Sequence, residues 1–414
     1  MAYADKIDER EGLEEWSGFL GLRNNVDATA FGREDLVTAL NIDIDDSLGI
    51  SRRKGYSAAV TSAVDRDLWA SGSVCLGVGS NVLKLVNPDY STATLRTGLT
   101  PARPLSYAAV GARVYYANGV ELGCVQNGAN RTWGITPPGA FAVAAGPGAL
   151  AAGKYQVAVT YLRNDGQESG AARATTIDLT DTGGISLSAI LASTDPTVTY
   201  KVIYCTSVGG ETLFRVGVIA NATTTFSINE VRSGASPLLT QFLNPPPAGE
   251  YIAYANGYML VASGARLYPS EAYAPELFDL RKAVPFLDSI TMVAPVKGGV
   301  WLGLNNQIVW IAGDTPEVWD YKEAADYGVI PGTLWFADAG VVNDGQATGE
   351  MAALFASKRG LCVGFPGGRL MNATESRYAY PSMDRGAGVV RRHRGVIQYL
   401  CTLQGTETAG NVAS

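Results

Sequence analysis

Apolar and polar positions alternate along this chain in short runs, and the runs come in pairs around small turns. Gly299 opens Val-Trp-Leu-Gly-Leu, Asn305-Asn306 turns it, and Gln-Ile-Val-Trp-Ile-Ala returns. Two apolar, aromatic-rich runs around a two-residue turn predict a β-hairpin. Asn tolerates positive φ, so Asn305 and Asn306 are expected to make a tight primed turn. The pattern also opens at Gly72, Gly111, Gly257, Gly360 and Gly395. Turns are expected at Ser80-Asn81, Asn118-Gly119, Ser263-Gly264 and Pro366-Gly367-Gly368. The opening glycines step by 39, 146, 42, 61 and 35 residues. Four-stranded propeller blades repeat at roughly 40–50 residues. The chain is therefore expected to be all-β, a β-propeller of about six blades, with an extra domain in the long step.

Read in order, the chain divides into four parts. Residues 1–35 form an N-terminal arm with a short helix expected around Glu9 to Trp16. Residues 36–138 hold a hairpin, Leu36 to Ile44 with Ile50 to Tyr56, and then the first blades. The last repeat, from Gly395, is too short for a blade. The hairpin at 36–56 is expected to complete it, because propellers close by removing exposed edges. Residues 139–247 read as an inserted β-sandwich with linkers. Its strands include Lys154 to Leu162, Tyr200 to Cys205, Thr212 to Ile219 and Thr224 to Asn229, and their spacing resembles a fibronectin type III module. The Ala/Gly run Gly139 to Gly153 and Pro245-Pro246-Pro247 read as linkers, so residues 146–240 are expected to fold alone. Residues 248–414 return to blades, with 313–359 the least regular span.

Composition narrows the function. At 414 residues the chain is long enough for two or three domains. Net charge is −7, which argues against a protein that grips nucleic acid through many basic contacts. The five cysteines, Cys75, Cys124, Cys205, Cys362 and Cys401, are widely spaced and odd in number. They read as buried thiols of a reducing compartment rather than a disulfide framework or metal ligands. The acidic start, Met1 to Trp16, does not read as a signal peptide, and Gly139 to Gly153 is too short to span a bilayer, so no membrane anchor is expected.

Chemistry is sparse. His393 is the single histidine, so any mechanism needing two is excluded. Its neighbours Arg391, Arg392 and Arg394 favour the neutral imidazole on a solvated surface. Asp43 to Gly49 faintly resembles a calcium loop, but Leu48 stands where the turn glycine belongs and Lys54 where the bidentate glutamate would be. It reads as a turn. No phosphate loop, zinc motif or catalytic constellation is found, so no catalytic residue, metal or cofactor is assigned and no enzymatic activity is expected. Two basic clusters remain, Arg52-Arg53-Lys54 and Arg391-Arg392 with Arg394. Either they are solvated faces, or, if 36–56 completes the last blade, they form one basic patch that serves as an assembly interface.

The segment Gly21-Leu-Arg-Asn-Asn-Val-Asp27, followed by Leu40-Asn-Ile-Asp-Ile-Asp-Asp46 and Gly49-Ile-Ser-Arg-Arg-Lys-Gly-Tyr56, resembles the opening of tail nozzle or hub proteins of short-tailed bacteriophages, also called packaged-DNA-stabilisation proteins. The match covers about 35 residues. The resemblance implies a structural virion protein, made in the host cytoplasm and carried in the tail. It implies a ring of copies around the DNA exit channel, with portal or adaptor proteins, other tail proteins or fibres as neighbours. Double-stranded DNA would pass without sequence-specific contact, and an acidic lumen would discourage it from sticking. A carbohydrate-binding or carbohydrate-active propeller is the alternative, since fold does not fix function.

Overall fold

The computed structural model describes residues 7–8, 13–14, 18–38, 42–44, 49–53, 55, 64–380, 383–393 and 396–405. The chain divides into two compact units, residues 63–293, and residues 1–62 with 294–414. Both are built of antiparallel sheets, and the single α-helix among the described residues is the short Ala339–Asp344.

Five four-stranded sheets run as meanders in chain order. Sheet A comprises Arg66–Ser71, Val74–Gly79, Val82–Val86 and Thr92–Arg96. Sheet B comprises Ser106–Val110, Arg113–Ala117, Leu122–Gln126 and Ala129–Arg131. Sheet C comprises Tyr251–Ala255, Tyr258–Ser263, Arg266–Pro269 and Val284–Pro285. Sheet D comprises Ile290–Val296, Gly299–Leu304, Ile308–Ala312 and Asp320–Ala325. Sheet E comprises Trp335–Asp338, Met351–Ser357, Gly360–Gly364 and Leu370–Asn372. The first five expected hairpins are all present within these sheets. In sheets A to D the recurring glycine opens the second strand, whereas Gly360 opens the third strand of sheet E. That one-strand change of phase, with the helix Ala339–Asp344 between its first two strands, accounts for the long step before Gly360.

Turn chemistry agrees at one site and differs at another. Ser80 and Asn81 have φ of 52° and 60°, the left-handed pair a primed two-residue turn requires. Asn305 and Asn306 are not among the positive-φ residues. Their loop is one residue longer, closed by Leu304 N donating to Gln307 O at 2.9 Å, so positive φ is not demanded there.

The sheets pack face to face. In unit 63–293, Leu76, Val78 and Leu83 of sheet A share a core with Val114, Tyr116 and Val125 of sheet B. Tyr115 and Cys124 from the other face of sheet B share the next core with Ile252, Met259 and Val261 of sheet C, around Trp133 and Phe278. Alternate side chains of sheet B thus feed two cores, as strand pleating dictates. In the other unit, Trp301 of sheet D packs on Gly364 and donates to the Phe365 carbonyl beside sheet E. Val390 and Tyr399 of a final ribbon, Met383–His393 with Val396–Gly405, cover the core of sheet E.

Between sheets B and C the chain leaves to build the sandwich. Its three-stranded sheet comprises Ala142–Leu150, Gly183–Ser188 and Phe226–Ile228. Its four-stranded sheet orders Thr175–Leu179, Gly153–Arg163, Val198–Thr206 and Leu213–Ala220. Val157, Val159, Ile185, Leu187, Ile203 and Cys205 fill the space between. In immunoglobulin-type sandwiches the first two strands share a sheet. Here they lie in opposite sheets, so the expected sandwich is present with a different strand order.

The expected linker is a strand. Gly146-Pro147-Gly148 lies inside Ala142–Leu150, at a register shift between Gly146 and Leu150. A Cβ on Gly148 would come within 2.6 Å of the Gly184 backbone, so the small residues serve close strand approach rather than flexibility. This moves the domain boundary outward. A fragment of residues 146–240 lacks Ala142–Ala145 and is expected to give a collapsed amide spectrum, whereas residues 139–247 give a dispersed one. Equal dispersion from both would put the strand Ala142–Leu150 outside the folded core.

The N-terminal region departs further from expectation. The helix expected at Glu9 to Trp16 falls mostly outside the described residues, and Leu13–Glu14 instead pairs with Ile7–Asp8 as strand. Ile42–Ile44 pairs with Ile50–Arg52, as the hairpin predicts. That hairpin does not complete the last sheet, however. It and the final ribbon are separate two-stranded sheets among the described strands.

Candidate assembly surfaces

The two basic clusters sit on these half-sheets. Arg52 ends the strand Ile50–Arg52, which is exposed throughout. Arg53 donates to Asp43 at 3.3 Å, with both side chains solvated; such a surface pair contributes little. Arg391 and Arg392 lie near the turn of the ribbon, opposite Gln398 and Ile397. Arg391 Nε donates to Gln398 Oε1 at 2.8 Å. Lys54 and Arg394 lie outside the described residues, as does the side chain of His393. No strand pairing joins the two clusters, so they are not one patch on a shared sheet.

What ties the N-terminal arm to the C-terminal region is a clasp that sequence reasoning missed. Gly21–Leu22 pairs in parallel with Asp35–Leu36. Asn24 then treats residue 379 as a strand partner: its Nδ2 donates to Ala379 O at 2.8 Å and its Oδ1 accepts from Ala379 N at 2.9 Å. Asn24 N donates to Arg377 O at 2.9 Å. The Asp35 carboxylate, 5% exposed, accepts from Arg23, the Gly32 amide and Arg377. The Arg23 bond, reinforced by Gly32 and Arg377, holds its carboxyl below the usual range against the effect of burial. The signal was present in Arg-Asn-Asn, but side-chain-to-backbone bonds leave no periodicity.

A second polar cluster docks the sandwich on sheets B and C. Asp165 of the sandwich accepts from Arg113 at 3.1 Å and Arg131 at 2.6 Å. Glu276 accepts from Arg113 at 2.7 Å and from the Tyr115 hydroxyl at 2.5 Å. A tyrosine beside a glutamate among arginines has the outline of a nucleophile and base. Its chemistry points the other way. Burial, and the Glu276 charge beside it, push the Tyr115 hydroxyl well above the ordinary tyrosine range, and Tyr115 is fully buried. The cluster is a structural joint.

The remaining groups are quiet. Burial pushes the Cys205 thiol up to about 12 and the Cys362 thiol up to about 11, the opposite of a reactive thiolate. All five cysteines are free. A cleft of about 430 Å³ is lined by Pro137, Ala171, Phe242, Leu243, Asp279 and Arg281, but its charged groups, Asp279 and Arg281, pair with each other at 2.8 Å. Among the described residues no group of three or more His, Cys, Asp or Glu side chains is placed to hold a metal ion. No helix among them is long and apolar enough to cross a membrane.

No family model matches the chain, and no curated protein matches it. Solved structures similar to it include BBS1N in complex with ARL6DN, at 10% identity and TM-score 0.29 over 83% of this chain and 93% of that one. Sqt1 of Saccharomyces cerevisiae follows, at 12% identity and TM-score 0.21 over 68% and 89%. The extracellular domain of a putative one-component system of B. thetaiotaomicron has 10% identity and TM-score 0.24 over 86% and 48%. Superpositions this loose carry no argument about function.

Proposed function

We propose that this chain is a structural virion protein of a short-tailed bacteriophage tail, acting by assembly rather than catalysis. Copies form part of a ring, a nozzle or hub, around the DNA exit channel below the portal or adaptor, where they help to retain the genome and then let it pass. The observation that carries the reading is the N-terminal segment from Gly21 to Tyr56, with its resemblance to tail hub openings, set before an array of four-stranded sheets. In the same reading the five sheets and the final ribbon close as a propeller of about six blades. The clasp of Arg23, Asn24 and Asp35 on residues 377–379 supports closure, because it joins segments about 350 residues apart.

Portal or adaptor proteins, other tail proteins and fibres are the proposed neighbours. The net charge of −7 suits a channel wall that DNA slides past. The test is peptide mass spectrometry of purified phage particles from a lysate encoding this chain. The protein is expected in a fixed ratio to the portal. Its absence from particles, or polysaccharide cleavage by the purified protein, would overturn the structural reading in favour of a carbohydrate-active propeller.

A further inference from the structure

We infer that the hairpin Ile42–Arg52 of one copy adds to the outer edge of the strand Val396–Gly405 of a second copy, making a shared four-stranded sheet. This deepens the ring reading by naming the contact, and it depends on that reading only for the ring itself. The argument begins with strand number. Five sheets of this chain have four strands, whereas the hairpin and the ribbon have two each. An isolated two-stranded ribbon is marginal in water, and its unpaired backbone groups template further pairing.

Within one chain the two halves stay separate. They do so although the clasp holds Asp35 against Arg377, a few residues before each half begins. Each half is therefore left with an edge that a second copy can supply. On the ribbon, the edge available is that of Val396–Gly405. The other strand, Met383–His393, is already engaged along its outer side, where Gly386 N donates to Pro331 O at 2.9 Å and Trp335–Asp338 lies alongside. The hairpin offers the exposed strand Ile50–Arg52, with Ile50 itself 40% exposed.

Charge fixes the orientation. The residues joining the two hairpin strands include Asp45 and Asp46. The ribbon turns among Arg391, Arg392 and Arg394. Laying turn beside turn brings opposite charges together. It also carries Arg52 and Arg53, at the other end of the hairpin, away from the ribbon's arginines. The contact is heterologous, since hairpin meets ribbon rather than hairpin meeting hairpin, and such contacts close into rings when repeated about an axis.

The experiment uses the full chain and two variants, one with Asp45→Lys and Asp46→Lys, the other with Arg392→Glu and Arg394→Glu. Sedimentation velocity over a concentration series should show wild-type self-association. Each variant alone should weaken it by about tenfold or more. An equimolar mixture should restore it, because lysine hairpins then meet glutamate ribbons and wild-type hairpins meet wild-type ribbons. Contact within one copy cannot be rescued by mixing. Hydrogen exchange of the wild-type amides 396–405, read against concentration, gives a second measure should either variant fold poorly. Protection that rises with concentration supports the contact. Wild-type protein that stays monomeric, variants that associate normally, a mixture without rescue, or flat protection would each overturn it. Presence in phage particles is a separate result, so association without virion incorporation would sink the function and leave the contact standing.

Discussion

Replacing Trp301 by alanine is expected to destabilise the unit that holds sheets D and E by about 3–5 kcal/mol. Trp301 has no solvent exposure. Its ring lies 4.8 Å from that of its cross-strand partner Trp310, and its Nε1 donates to Phe365 O at 3.1 Å. A Cβ on Gly364 would come within 2.7 Å of the indole, so the site is filled to contact and the truncation leaves a cavity. Trp301→Phe keeps most of the apolar volume but strands the Phe365 carbonyl, and should cost about 1–3 kcal/mol. Chemical denaturation followed by circular dichroism measures both. A loss below about 1 kcal/mol for the alanine variant, as at surface sites, would mean that the two sheets do not pack through this residue.

Arg163→Ala should cost the sandwich-bearing unit a similar amount, about 3–5 kcal/mol, because breaking a buried pair leaves the other charge uncompensated. The Arg163 side chain has no exposure, and it donates to Asp195 at 2.8 Å, Thr197 at 2.7 Å and Gly134 O at 3.2 Å, and to Thr132 as well. Thr132 and Gly134 follow sheet B, so this one guanidinium both braces the sandwich and fastens it. Burial works to raise the carboxyl of Asp195, but hydrogen bonds from Thr132, Thr197 and Arg163 outweigh it and hold it far below the usual range. A depressed carboxylate contributes stability above its ordinary pKa of about 4 and loses it as pH falls. The gap between wild type and variant should therefore be full at neutral pH and narrow only in acid. Arg232→Ala, which removes a pair with both side chains more than two-thirds exposed, is the control and should stay within about 0.5 kcal/mol. Equal effects at the two sites would contradict the account.

What the sequence made legible follows from where the physics leaves a period. The hairpins at Gly72, Gly111, Gly257, Gly299 and Gly360 were readable because strands buried on one or both faces must alternate or run apolar, and tight turns need glycine or asparagine. The phase change at Gly360 was not, since inserting Ala339–Asp344 alters strand count without altering the local pattern. Gly139 to Gly153 has the composition of a linker, yet small residues are what close approach to Gly183 and Gly184 demands. The clasp at Arg23, Asn24 and Asp35 works through side chains bonding backbone, which no hydrophobic pattern records. Arg163 carried a faint signal, a charge closing the apolar strand Gly153–Arg163, but its partners at Thr132 and Asp195 are joined only by the fold. Of the proposed interface, the clusters were visible as charge runs. Their separation onto two half-sheets was not, because strand pairing across more than 300 residues leaves no local mark.

The central claim is that this chain is a ring-forming part of a phage tail, and electron cryomicroscopy of purified tails tests it most directly. The account predicts a ring of density around the DNA exit channel into which sheets A to E fit in chain order, with the sandwich of residues 142–228 branching between sheets B and C. Tails whose channel wall is fully built by other proteins, with no density for these sheets, would contradict it.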